Sequence, residues 1–341
     1  MATEAKSLIQ VENVRRSFRS VKKSEGLRGA LELLVKPQYQ VHEALKGVSF
    51  TIEEGALVGL IGANGAGKTT LLKVLSGLIP ATSGSARVLG YDPFARALDF
   101  RRRISLVMGQ KAQLWWDLPA ADAFLLLRAI YEIPKDEYKR RLDELARILD
   151  VGRLLQTQIR RLSLGERMKM ELIGALIHWP EVVFLDEPTI GLDVIAASSL
   201  RQFLKTYNLQ NRSTMILTSH NMDDIERLCS RVLIIKEGQL IFDGSPQKLA
   251  GTGEKRLRVR LDKLPSVEEL SRVAGVASDA VAFGVAEAGE DGADSPEATT
   301  VRIKVAPSLM PAILQSLMAR YRVVDMGVEE QSLEDVISLV L

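Results

Sequence analysis

Two stretches of this sequence carry the residue types that chemistry on phosphates needs. Gly62-Ala63-Asn64-Gly65-Ala66-Gly67-Lys68-Thr69 sets glycines, a lysine and a hydroxyl at the spacing G-x-x-x-x-G-K-[ST]. Glycines let backbone N–H groups turn toward phosphate oxygens, and a helix starting at such a loop adds its positive end. Lys68 is then placed to reach the β- and γ-phosphates. The Thr69 hydroxyl is placed to coordinate Mg²⁺, and Thr70 follows in the same turn. Farther along, Phe184-Leu185-Asp186-Glu187 ends an apolar run in two acids. The first would enter the metal shell and the second would polarise an attacking water. The implied ligand is a nucleoside triphosphate with Mg²⁺.

Such groups need a rigid frame, and the neighbouring sequence predicts one. Leu57–Ile61, Val182–Leu185 and Met215–Leu217 are short apolar runs ending in glycine or polar residues, as buried parallel strands do. A helix is expected to continue from the phosphate loop over 70–78. Lys135–Asp150 reads as an amphipathic helix with Tyr138, Leu142, Leu145, Ala146 and Leu149 on one face. Together these predict an α/β sandwich over about 44–235.

Composition narrows the class. Over 341 residues, 45 Lys+Arg against 43 Asp+Glu leave a net charge of +2, so no basic excess argues for nucleic acid. The single cysteine, Cys229, forms no internal disulfide and supports no cysteine-based zinc site; it reads as a small buried hydrophobe. His42 and His178 have no ligand-spaced companions. No run of apolar residues is long enough to span a membrane, and the first ten residues lack a signal-peptide core, so the chain is expected to be soluble and intracellular.

The order of further motifs resembles one family. Leu162-Ser163-Leu164-Gly165-Glu166 looks like the signature motif of ATP-binding cassette (ABC) ATPases. Gln110 resembles that family's Q-loop glutamine, Gly191-Leu192-Asp193 its D-loop, His220 its switch histidine, and Phe18 its adenine-stacking aromatic. The fold so implied is a P-loop NTPase cassette, a mixed β-sheet core with a helical subdomain. The resemblance implies ATP with Mg²⁺ as ligands. Thr69, Gln110 and Asp186 would stand around the metal, Glu187 would be the general base, and His220 the γ-phosphate sensor. Two chains would pair head to tail. Each ATP would lie between residues 62–70 of one chain and Ser163, Gly165 and Glu166 of the other, with Asp193 beside them. Leu164 and Glu166 depart from the usual Leu-Ser-Gly-Gly-Gln, and Glu166 is expected to bring a negative charge close to the site.

The resemblance is to the ATPases of ABC-2-type exporters, which work with separately encoded permeases at the cytoplasmic face of the membrane. It rests on a long segment between Phe18 and Ala44, with a helix candidate at Leu27–Val35, and on the ending Gly327–Val336. The segment 15–36 holds seven Lys/Arg and two Glu and is a second candidate for membrane contact. Trp115 and Trp116 are candidates either for a permease groove or for the core of the helical subdomain. A soluble ABC ATPase acting on ribosomes or DNA is the alternative; no nucleic acid partner is expected.

The expected domains are an ATP-binding unit over 1–246, with a basic insertion at 20–43 and a helical subdomain at about 112–178, and an α+β unit over 247–341. In the second unit Arg256–Leu261 and Thr300–Val305 alternate as half-buried strands. Helices are expected over 308–321 and from Ser332, with an acidic loop at 286–298.

Overall fold

The computed structural model describes residues 7–21, 39–109, 112–250, 255–262, 265–277, 280–284, 299–305, 308–330 and 337. The chain divides into two compact units, 1–246 and 247–340.

In chain order the first unit contains β1 (Ser7–Val21), β2 (Tyr39–Glu53), β3 (Leu57–Ile61), α1 (Lys68–Leu75), β4 (Ser83–Val88), α2 (Leu98–Arg103) and β5 (Ile104–Met108). There follow α3 (Ala120–Ile130), α4 (Lys135–Ile148), α5 (Leu164–Leu176), β6 (Val182–Asp186), α6 (Val194–Asn211), β7 (Thr214–Thr218), α7 (Met222–Leu228), β8 (Arg231–Lys236) and β9 (Gln239–Gly244). Six strands form one sheet in the order β5-β6-β7-β3-β8-β9. All neighbours in it are parallel except β8 and β9. All five residues of β3 are buried, as are all five of β7, which explains their near-unbroken apolar sequence.

A second, antiparallel sheet has the order β2-β1-β4. Leu45, Val48, Phe50 and Ile52 of β2 point into the core shared with α1 and the larger sheet. Both ends of the expected 20–43 insertion are strand: Arg19 pairs with Val41 and Val21 with Tyr39. The insertion therefore begins as an extension of the β1–β2 hairpin. The helix candidate Leu27–Val35 lies outside the described residues.

α4 buries Tyr138, Leu145 and Ala146 on the expected face. The C-terminal end of α5 is joined to the sheet by His178, whose Nε2–H donates to the Ile104 carbonyl at 3.1 Å. The His178 ring also stacks on Tyr131 at 3.9 Å between centroids. Cys229 is buried, as expected. Among the described residues no helix is long and apolar enough to cross a membrane.

The second unit holds β10 (Lys255–Leu261), α8 (Val267–Ala274), β11 (Val281–Gly284), β12 (Thr299–Val305), α9 (Met310–Arg320) and β13 (Val323–Glu330). The sheet order β11-β12-β10-β13 with antiparallel neighbours makes a split βαβ pair, the ferredoxin-like arrangement. Leu257, Val259, Leu261, Val301 and Ile303 pack under Leu270, Ile313 and Leu317 of the two helices. The alternation in β10 and β12 and the inward face of α9 match their sequence pattern. α8 and β11 stand where no element was expected, and Gly327–Glu330, read as part of a tail, belongs to β13. The acidic 286–298 segment and, apart from the buried Ile337, the helix from Ser332 lie outside the described residues.

Candidate functional site

The phosphate loop leaves the end of β3 and runs into α1. It is pressed from behind. A Cβ on Gly67, whose φ is +113°, would stand 2.5 Å from the Ala44 carbonyl oxygen, and one on Gly238 would stand 2.8 Å from the same atom. The Gly238 N–H donates to the Ala66 carbonyl at 2.9 Å, so the β8–β9 turn holds the loop in place. Ala63, Asn64 and Gly65 at the loop's crest are exposed.

Lys68 is buried, and its ammonium donates to the carbonyls of Gly62 at 2.6 Å and Ala63 at 3.1 Å. Burial lowers its pKa, and the carboxylates of Glu187 and Asp186 act in the opposite direction. Thr69 Oγ1 donates to Asp186 Oδ2 at 2.9 Å, and Thr218 Oγ1 donates to Asp186 Oδ1 at 2.7 Å. This hydroxyl and carboxylate at a helix start fit Mg²⁺, which usually takes one or two protein oxygens and fills its shell from phosphates and water. Among the described residues no group of three or more His, Cys, Asp or Glu side chains could hold a metal by itself.

Glu187 follows β6 with φ +54°, a left-handed backbone that costs a non-glycine residue roughly 1–2 kcal/mol. Its N–H is held by both the carbonyl and the hydroxyl oxygen of Thr218, at 3.1 and 3.0 Å. The turned side chain meets His220, with Glu187 Oε1 2.8 Å from Nε2. A cavity of about 320 Å³ opens beside the pair, lined among others by Thr189, Arg201, Ser219 and Asn221. The structure thus brings together Lys68 and Thr69 with Asp186 and Glu187, and Glu187 with His220.

Ser163, Gly165 and Glu166 form a separate group at the start of α5. Ser163 Oγ accepts from the Glu166 N–H at 3.3 Å, and Glu166 Oε2 accepts from the Ser163 N–H at 3.0 Å, a complete capping box. The hydrogen bonds from Ser163 lower the Glu166 pKa. The charge expected to stand against the site is therefore engaged at the positive end of α5. Among the described residues no hydrogen bond or ion pair joins this turn to the phosphate loop.

A Cβ on Gly165 would lie 3.2 Å from Ala196 Cβ, which sets the signature turn beside the start of α6. Asp193 caps α6 through the Ala196 N–H at 2.8 Å. Next to it, Val194 and Ile195 are 81% and 82% exposed.

Phe18 stands apart on β1, 36% exposed, with the Arg16 guanidinium 4.6 Å above its ring. It is not a core aromatic. Trp115 and Trp116 are likewise partly exposed, at 43% and 48%, so neither is a fully buried core residue. Arg167 of α5 lies 5.1 Å over the Trp116 ring. Gln110 lies outside the described residues. Two features went unread in the sequence. The capping box was visible as S-x-x-E at 163–166. Buried Asp224, which bonds to Thr189 and Ser219, has no periodic signal.

Comparison with known proteins places the chain. The ABC transporter family model matches residues 45–190. The chain is 30% identical over 210 residues to the ABC transporter ATP-binding protein NatA of Bacillus subtilis, covering 62% of this chain and 85% of the relative. It is 32% identical over 225 residues to the daunorubicin resistance ATP-binding protein DrrA3 of Streptomyces coeruleorubidus, covering 66% of this chain and 71% of that one. Among solved structures, the dimeric ATP-binding cassette MJ0796 with bound ADP and phosphate superposes with a TM-score of 0.57. It is 23% identical, covering 70% of this chain and 98% of that one, and shares the fold. With phosphate loop, signature turn and strand-end acids arranged as described, the chain belongs to the ABC transporter family, as one of its ATP-binding, ATP-hydrolysing subunits.

Proposed function

We propose that this chain is the ATPase subunit of an ABC-2-type exporter and drives a separately encoded permease from the cytoplasmic face of the membrane. The observation that carries the reading is the division of the site. Lys68, Thr69, Asp186, Glu187 and His220 form a connected group, whereas Ser163 and Gly165 form a self-contained turn with no hydrogen bond to it. A second copy, placed head to tail, would bring its signature turn over the phosphate loop. Leu164, Ile190, Val194 and Ile195, exposed beside the signature turn and Asp193, offer an apolar surface for that pairing.

In this reading Lys68 leaves its own loop carbonyls for the β- and γ-phosphates, and the N–H groups of residues 62–70 cradle them. Thr69 and Asp186, with Gln110 by family resemblance, would hold Mg²⁺, which neutralises phosphate charge when bound. Glu187 takes a proton from the attacking water, and His220 turns from Glu187 toward the γ-phosphate. Phe18 offers a flat face to adenine. Ser163 donates its hydroxyl hydrogen to the partner's nucleotide.

The export direction is supported by relatives named for daunorubicin and linearmycin resistance. A groove of about 240 Å³ lined by Leu78, Arg101, Gln113, Leu127, Tyr131 and Glu171 fits a permease segment, with Trp115 and Trp116 exposed nearby in sequence. The 15–36 segment is a second contact for anionic headgroups.

Detergent extraction tests the partner: the chain should co-purify with a polytopic membrane protein, and recovery with ribosomes or DNA instead would favour the alternative. Glu187→Gln tests the chemistry. Turnover should fall by about 10²–10⁴ while ATP still binds, and the variant should accumulate as an ATP-bound dimer.

A further inference from the structure

Behind the Glu187–His220 pair lies a carboxylate that none of the roles above uses. Asp224 is fully buried near the start of α7. Its Oδ1 accepts from Arg201 at 2.6 Å, and its Oδ2 accepts from Thr189 Oγ1 at 2.5 Å and Ser219 Oγ at 2.6 Å. Ser219 Oγ in turn accepts from the Asn221 N–H at 3.0 Å. The backbone is thus gripped on both sides of His220, by Ser219 before it and Asn221 after it. On the other branch Thr189 stands two residues beyond Glu187, in the loop that leads to Asp193.

Arg201 is itself buried, and its Nε has no partner. Its charge is met by Asp224 alone among the ion pairs of the described residues. A buried pair of this kind is poor value for stability, because apolar residues of similar volume would serve as well or better. What it supplies is direction. Three acceptor bonds on one small carboxylate fix Thr189, Ser219 and Arg201 in a single arrangement.

We propose that Asp224 is a positioning residue for ATP hydrolysis: by holding Thr189 and Ser219 together it sets Glu187 and His220 at their 2.8 Å separation. It also makes one mechanical piece of the His220 loop and the loop that ends at exposed Val194 and Ile195. A second copy seated on those residues is thereby felt at His220. The inference rests on the reading of Glu187 and His220 given above.

The test uses the full chain and steady-state ATP turnover. Thr189→Val keeps the shape and removes the hydroxyl; Ser219→Ala removes the bridge to Asn221; Asp224→Asn removes the charge. Thr189→Val and Ser219→Ala should each lower kcat roughly tenfold or more, the scale of a small misplacement of reacting groups, with KM for ATP changed less than about twofold. Melting temperature should hold in those two variants even where Asp224→Asn unfolds. Imidazole NMR supplies the second readout, because the chain has three histidines. Ser219→Ala should move the His220 signal and leave that of His178, held separately by Tyr131 and Ile104. Unchanged kcat in both hydroxyl variants overturns the proposal, as does a loss that tracks the fraction unfolded or an unmoved His220 signal. Glu187→Gln in the same assay separates the two ideas. Wild-type turnover in Glu187→Gln defeats the underlying reading, while a dead Glu187→Gln beside a fully active Ser219→Ala defeats this inference alone.

Discussion

The phosphate loop and the signature turn each open a helix, yet they are built in opposite ways. The loop, closed locally by Lys68, is also held by distant partners: Asp186 reaches back to Thr69, Gly238 clamps Ala66, and β3 is paired on both sides within the sheet. The signature turn is closed within four residues by Ser163 and Glu166. The first is therefore rigid because the whole unit is folded, and the second keeps its shape wherever α5 goes. The head-to-tail site proposed above would suit this division, with a fixed cradle on one copy and a portable lid on the other.

The largest effect should come from the cradle. Lys68→Ala removes the cation proposed to face the β- and γ-phosphates and should weaken ATP binding on the order of 10²–10³-fold, as lost charge-assisted hydrogen bonds do. Titration with a fluorescent nucleotide measures it, and unchanged affinity would break the comparison.

The next effect concerns the tether between the two halves. Burial pushes the His178 pKa down to about 4, from an ordinary 6.5. The folded chain then takes up this proton only below about pH 4, whereas the unfolded chain takes it up from about pH 6.5. The contribution to stability is whole above pH 6.5 and is lost as pH falls to 4, about 3 kcal/mol in all. Urea unfolding at several pH values should show wild type losing more than His178→Phe across that window. Equal slopes would mean that the imidazole is not buried as described.

Phe18→Ala should raise the ATP dissociation constant roughly 5- to 150-fold, the equivalent of about 1–3 kcal/mol, with little change in melting temperature because the ring is exposed. A large melting loss at unchanged affinity would give Phe18 to the fold instead of the cradle. The smallest change belongs to the turn. Glu166→Ala should cost about 1 kcal/mol of stability through the lost cap and leave ATP affinity of the isolated chain unaltered. A drop in that affinity would show the turn already engaged with its own phosphate loop, and the contrast between the halves would fail.

Where function sits on short spacings, the sequence was a good guide. The glycines of 62–67, the acids closing β6 and the buried strands β3, β6 and β7 all announce themselves through local pattern. At Glu166 the three-residue distance from Ser163 marks a capping box, a signal that its charge alone does not give. α8 carried the same kind of signal, since Ser266 Oγ accepts from the Glu269 N–H. β11 has only four residues, and β13, with Asp325 and Gly327 inside it, alternates poorly. Asp224 was out of reach for another reason. Its neighbours Asp223, Glu226 and Arg227 make a polar run, and only the fold shows which carboxylate turns inward.

The crowding behind the phosphate loop has a consequence for inheritance. Gly67 and Gly238 lie far apart in the chain, yet both are pressed on the Ala44 carbonyl oxygen, and neither leaves room for a methyl group. Ala44 is held by its main chain, so exchanging its side chain opens no space at either glycine. In a library carrying every single substitution, both positions should be depleted of all alternatives, while exposed Asn64, on the crest of the same loop, accepts many. Genetic tolerance would then trace the back of the loop more sharply than its nucleotide-facing front.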